Sequence, residues 1–162
     1  MIDSAKLQYG VHLTIMALIE NKKARFNYEI LEEYEAGLEL FGFEVKALRK
    51  GHGQLEGSRV IVRGGEGYLV GATIPPYQPH NTPKDYDPAR TRRLLLTKKE
   101  LGELGGYENK KGLTIVPLSV YIKNNRLKLS VGVARGKKKH DKRETLKKRD
   151  TDREIRRTLK TE

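Results

Sequence analysis

The chain is 162 residues long and 36% hydrophobic, the size of one domain plus an appendage. It contains no cysteine, which excludes disulfides, thiolate-bound metals and a cysteine nucleophile, and fits a reducing compartment. Its 33 Lys and Arg against 21 Asp and Glu give a formal net charge of +12, which points to a polyanionic partner.

The first apolar run, "VHLTIMALI" at residues 11–19, is too short to span a bilayer. It leads into "ENKKARF" rather than a small-residue cleavage site, so a targeting signal is a poor reading. Leu7, Val11, Ile15 and Leu18 recur at helical spacing and predict a short amphipathic helix. Next, Phe26, Tyr28 and Ile30 alternate with polar residues in "RFNYEILEEYEAG", the pattern of a half-buried strand. Leu38, Phe41, Val45 and Leu48 then change the period to helical, with Gly51 as the stop. "SRVIVRGGEGYLVGATI" reads as two strands turning at Gly64-Gly65-Glu66-Gly67.

Five of the six prolines fall in "PPYQPHNTPKDYDPAR", which predicts a long surface loop. Beyond it, Thr97 and Glu100 form a capping box that opens a short helix. "LTIVPLSVYI" and "RLKLSVGVA" are two β-rich runs joined at Lys123-Asn124-Asn125, a second hairpin. Five or six short strands with two or three helices imply a mainly β fold, an antiparallel barrel or sandwich. An OB-like barrel is the version that best joins such a core to a polyanion. The organisation expected is an N-terminal extension over residues 1–20, a body over 21–134 and a basic tail over 135–162.

That tail carries most of the charge asymmetry. Residues 135–160 hold thirteen Lys or Arg against five Asp or Glu. Ile155 and Leu159 are an i, i+4 pair, but Leu146 stands alone, so there is no broad apolar face to enter an anionic membrane. The segment lacks the apolar content to fold by itself and is expected to be disordered when free. After Gly136, however, it has neither glycine nor proline, and most of its residues are good helix formers. It is therefore expected to become a helix where phosphate neutralises its charge.

Catalytic chemistry finds little support. His12, His52, His80 and His140 are scattered without ligand spacing, so no metal site is expected. "GVARGKKK" is one residue short of a phosphate-binding loop and lacks the Ser or Thr after its lysine. Glu32, Glu33 and Glu35 have no nucleophile or metal partner nearby and read as solvated charges at a strand end. No enzyme activity and no cofactor are expected. Three basic groups are more informative: Lys22, Lys23 and Arg25; Arg90, Arg92 and Arg93; and Lys123, Arg126 and Lys128. In an antiparallel barrel they can converge on one face and track a phosphate backbone. Tyr77, Tyr86 and Tyr107 lie near loops, where they can stack on bases or simply pack.

Three long strings, "ENKKARFNYEILEEYEAGLELFGFEVKALRKG", "DPARTRRLLLTKKEL" and "GVARGKKKHDKRETLKKRD", occur in the order typical of the SsrA-binding protein (small protein B) family. The resemblance runs from about Ile19 to Lys160. It implies an OB-fold barrel with flanking helices and a non-enzymatic role in trans-translation, the rescue of bacterial ribosomes stalled without a stop codon. The implied partners are transfer-messenger RNA (SsrA) through its tRNA-like domain, the ribosome mainly through small-subunit rRNA, and elongation factor Tu with GTP through the RNA complex. A cytoplasmic monomer with no membrane association is implied as well.

By the resemblance, Asn21, Lys22, Arg25, Glu35, Leu95 and Lys128 face the RNA; the basic clusters, read from the residues themselves, add Arg90, Arg92, Arg93 and Lys123 to the expected RNA-binding set. For Leu95 a place in the barrel core stays open as the other reading. Gly136, Lys137 and Lys138 form the tail's hinge and first phosphate contacts, with Lys139 in the same run. His140 stacks at the decoding centre, Asp141, Lys142 and Arg143 set the start of the tail, and Ile155 supports a distal helix in the empty mRNA channel. Residues 1–15 depart from the family's short basic leader, and Met16 is a plausible alternative start, which makes them either dispensable or the product of an over-long gene model. The competing reading is a structural ribosomal protein with a basic rRNA-binding extension. The tail's mixed charges argue against it.

Overall fold

The structure is a computed structural model, and it describes residues 16–159. The described residues form seven strands and four α-helices. In chain order these are β1 (Ala17–Glu20), α1 (Lys22–Asn27), β2 (Tyr28–Leu38), α2 (Gly42–Arg49), β3 (Arg59–Arg63), β4 (Glu66–Val70), β5 (Arg92–Leu95), α3 (Lys98–Glu108), β6 (Leu113–Lys123), β7 (Arg126–Gly136) and α4 (Lys139–Thr158). The strands make one antiparallel sheet in the order β1-β6-β7-β2-β5-β4-β3. The sheet curls until β3 lies against β6, with α3 packed on both, so the mainly β, OB-like expectation holds.

Both predicted hairpins form for the expected backbone reason. Gly64 and Gly65 have φ of 58° and 74°, and Asn124 and Asn125 have φ of 49° and 59°. Two left-handed residues between directly paired strand ends match the right-handed twist of a hairpin. Pro117 cannot donate to a ladder, yet it sits in β6 between two neighbours. The register shifts between Pro117 and Ser119, which is where a proline is tolerated inside a sheet. The core closes over Leu48, Leu69, Leu104, Ile115, Leu129, Val131 and Val133, all essentially inaccessible.

Three expectations change. Residues 17–20, assigned to the extension, form an edge strand on β6, so Leu18 is in a strand rather than a helix. The remainder of that predicted helix lies outside the described residues. Phe26 belongs to α1, and the strand begins only at Tyr28. At the other end of the body, β7 runs past residue 134 to Gly136, which pairs with Tyr28. The tail is in its helical form, the conformation its residue types favour. Its start is fixed by Asp141, which accepts the Lys138 N–H at 3.1 Å. It then rests on α1 through Arg149, whose guanidinium lies 5.3 Å from the Phe26 ring centre. Leu146, Ile155 and Leu159 remain exposed, so no apolar face of α4 is buried.

Candidate nucleic-acid interface

The register of β2, β7 and β6 builds a polar outer face. Glu35 stands opposite Ser130, Gly37 opposite Lys128, and Tyr121 opposite Lys128. Glu35 accepts from Lys123 Nζ at 2.8 Å and from the Tyr121 hydroxyl at 2.7 Å, with Lys128 Nζ at 3.9 Å. The Lys123 and Tyr121 hydrogen bonds and the lysine charges hold its carboxyl below the usual carboxylate range, so it stays ionised. Burial and this carboxylate push the Tyr121 hydroxyl upward, so it remains a donor. Further along β2, Glu33 accepts from Ser130 Oγ at 3.1 Å and pairs with Arg25 at 3.6 Å.

Next to this face is an open groove of about 680 Å³, lined among others by Glu35, Lys128, Arg93, Leu95 and Lys98. Four sequence-predicted residues from three strands thus share one surface. Leu95 is 55% exposed, which resolves its two readings in favour of the surface. β5 alternates, so Leu94 and Arg92 point inward while Leu95 and Arg93 point outward. Arg93 pairs with Glu66 at 2.6 Å at the groove edge.

Arg92 requires a correction. It is fully buried, paired with Glu44 at 2.9 Å, and donates to the carbonyls of Ala72, Pro88 and Arg90. It clamps the proline-rich loop to the core and does not face a polyanion. Arg90 is held by the same carboxylate, through Nε at 2.9 Å and Nη2 at 2.5 Å. Tyr86 donates to Glu44 and to the Ile74 carbonyl, and Tyr77 packs on the core. Tyr107 donates to Glu32 at 2.9 Å, as does Tyr34, which also reaches Glu103. Glu32 is therefore a strut between β2 and α3 rather than a solvated charge, and the three loop tyrosines are largely packing residues.

Asn21 is also buried, and its role is local. Its side-chain oxygen caps α1 by accepting from the Ala24 N–H at 3.0 Å, and its amide donates to the carbonyls of Leu55 and Pro117. Lys22 and Arg25 project from the helix it holds and are exposed. Asn21→Ala is expected to cost about 2–4 kcal/mol in chemical denaturation, from the lost cap and two orphaned carbonyls. Unchanged stability with weaker RNA binding would instead put this side chain on the ligand.

The root of the tail adjoins this helix. The Lys137 N–H donates to the Asn27 carbonyl at 2.9 Å, and Lys137 Nζ reaches the Arg25 carbonyl at 3.4 Å. Lys139, Lys142 and Arg143 lie on the first turns of α4. His140 sits within 3.2 Å of Asp141 and 3.4 Å of Glu144. These carboxylates, Asp141 first, raise its pKa above the ordinary imidazole value. Among the described residues, no group of three or more His, Cys, Asp or Glu is placed to hold a metal ion, and no helix is long and apolar enough to cross a membrane.

The sequence profile of the family described as SmpB protein matches residues 18–161. The SsrA-binding proteins of Gloeothece citriformis and Thermosynechococcus vestitus are 48% and 49% identical to this chain. The alignments span 88% and 91% of it and 92% and 97% of theirs. That of Paraburkholderia xenovorans is 46% identical over 90% of this chain and 99% of its own. Among solved structures, a chain of tmRNA-SmpB and the bacterial ribosome superposes with a TM-score of 0.63 at 47% identity, covering 74% of this chain and 84% of that one.

Proposed function

Since the chain belongs to the SmpB family, we propose that it is the RNA-binding adaptor of trans-translation. It binds the tRNA-like domain of transfer-messenger RNA and brings that RNA to ribosomes stalled without a stop codon. The observation that carries this reading is the groove where Glu35, Lys128, Arg93 and Leu95 meet, with Lys123 paired to Glu35 and Arg25 paired to Glu33 further along β2. Cations there sit beside an exposed leucine, with a carboxylate available to accept hydrogen bonds from sugar hydroxyls or base edges. The protein acts by holding RNA rather than by transforming it. It works in the cytoplasm as a monomer, and elongation factor Tu with GTP joins through the RNA.

The tail supplies the ribosomal contact. Gly136 to Arg143 start it beside α1, and the segment through Ile155 enters the vacant mRNA channel, lined by small-subunit rRNA. The segment takes its helical form there, and entry requires release of Arg149 from Phe26. His140 is exposed at the first turn of α4, from where it stacks at the decoding centre.

The test is the salt dependence of binding. Each phosphate contact contributes roughly 0.7–0.9 to the slope of log affinity against log salt. Lys128→Ala and Arg25→Ala are each expected to weaken binding to a transfer-messenger RNA transcript and to lower the slope by about that amount. An unchanged slope would mean that those side chains do not touch phosphate. Equal affinity for bulk rRNA would favour a structural ribosomal protein.

A further inference from the structure

The proline-rich loop and α2 bring together an aromatic cluster that lies outside the groove. Phe41 precedes α2 and is 51% exposed. The Arg90 guanidinium lies over its ring at 4.1 Å. Phe43 stacks on Phe41 with ring centres 5.4 Å apart, and Tyr86 meets Phe43 edge-on at 4.7 Å.

The hydrogen bonds of Arg90 decide what it can do. Its Nε and Nη2 donate to Glu44, Nη2 also points at the Glu39 carbonyl, and Nη1 at the Thr91 carbonyl. With its donor edge occupied by the protein, Arg90 cannot grip a phosphate in the forked manner usual for arginine. Its flat face and its charge remain. Glu44 fixes the other side of the stack too, accepting the Phe41 N–H at 2.8 Å. One buried carboxylate thus immobilises both layers and serves two guanidinium groups, which leaves the cluster net positive. The same network that clamps the proline-rich loop therefore also holds Arg90 flat against the Phe41 ring.

We propose that Phe41 and Arg90 form a stacking subsite for an unpaired RNA base, distinct from the groove that takes the RNA backbone. A base continues the Phe43–Phe41–Arg90 stack at its solvent end. Aromatic and guanidinium planes are the two surfaces on which splayed bases stack, and the positive charge favours a polyanion over an apolar peptide. The subsite rests on the RNA-binding reading above. The base can come from transfer-messenger RNA or from ribosomal RNA.

The chain contains no tryptophan, so Phe41→Trp installs a single fluorescent reporter in the stack. The experiment titrates this variant with a transfer-messenger RNA transcript in one arm and purified ribosomes in the other. Quenching in at least one arm is expected, and the responding arm names the source. Phe41→Ala is expected to weaken binding to that RNA roughly five- to a hundredfold, with the salt slope unaltered because no phosphate contact is lost. If wild-type protein binds both RNAs and neither quenches the indole, the subsite is wrong while the adaptor reading stands. Quenching by ribosomes that survives nuclease digestion assigns the patch to a protein and overturns the proposal. Wild-type protein that binds neither RNA sinks both readings.

Discussion

Glu44→Leu is expected to destabilise the fold by about 3–5 kcal/mol, the usual cost of stripping one partner from a buried ion pair. The substitution leaves Arg92 fully buried with three carbonyl acceptors and no countercharge. Arg90 and Tyr86 lose their shared anchor at the same time, which frees the proline-rich loop from the end of the barrel. A urea midpoint lowered with little change in m is the expected result. Combining Glu44→Leu with Arg92→Leu is expected to recover part of the loss, since the stranded charge is then gone. The pH dependence follows the same logic. Burial alone would raise the Glu44 carboxyl, but Arg90, the Phe41 N–H and Arg92 outweigh it and hold the group below its ordinary value. A depressed folded-state pKa stabilises the fold above the unfolded value, about 4.3, and that contribution is lost as pH falls through the folded one. The Glu44→Leu protein is accordingly expected to show a flatter acid limb than wild type.

Truncation after Lys138 has the largest expected effect on function. It keeps the whole β2–β7 ladder, which ends at Tyr28 and Gly136, and keeps the Lys137 N–H on the Asn27 carbonyl. Only α4 and the residues beyond it are removed. Affinity for transfer-messenger RNA is expected to fall by less than about tenfold, a change of under 1.4 kcal/mol. Peptide tagging on stalled ribosomes is expected to drop to background, because nothing then probes the mRNA channel. If RNA affinity and tagging fell together, the tail would be an affinity patch for the same RNA. The exposed Ile155 allows a subtler version. Ile155→Glu leaves the body untouched and is expected to lower tagging without altering binding.

Much of this architecture can be read from residues with a fixed local meaning. Gly64-Gly65 and Asn124-Asn125 tolerate left-handed backbone and therefore mark the hairpins. Thr97 with Glu100 opens α3 as the capping box predicts: Thr97 Oγ1 accepts the Glu100 N–H, and the Glu100 carboxylate accepts the Thr97 N–H. The site was partly legible for a different reason. Glu35, Lys128 and Leu95 carry a family pattern, but only the antiparallel register brings them to one groove.

The misses have physical causes. In "RTRRLLL", charges and leucines follow one another without contrast, so alternation alone does not say which arginine points inward. The partner that draws Arg92 inside, Glu44, lies 48 positions away. Phe41 fits the apolar spacing of α2 but stands before its first turn, where it faces solvent. β1 contributes only four residues, and its strand character comes from pairing with β6 rather than from its own pattern. The tail's helix was foreseen only as conditional. Its contact with Phe26 depends on a cation–π pair that no sequence period encodes.

The central claim is that the body selects one RNA rather than any polyanion. It is tested most directly by competition: labelled tRNA-like domain of transfer-messenger RNA bound to the purified protein at physiological salt, challenged with excess unlabelled small-subunit rRNA. Retention of the labelled RNA, with displacement only by its own unlabelled form, is the predicted result. Equal displacement by both competitors would contradict the account and leave only a basic protein that binds RNA without choice.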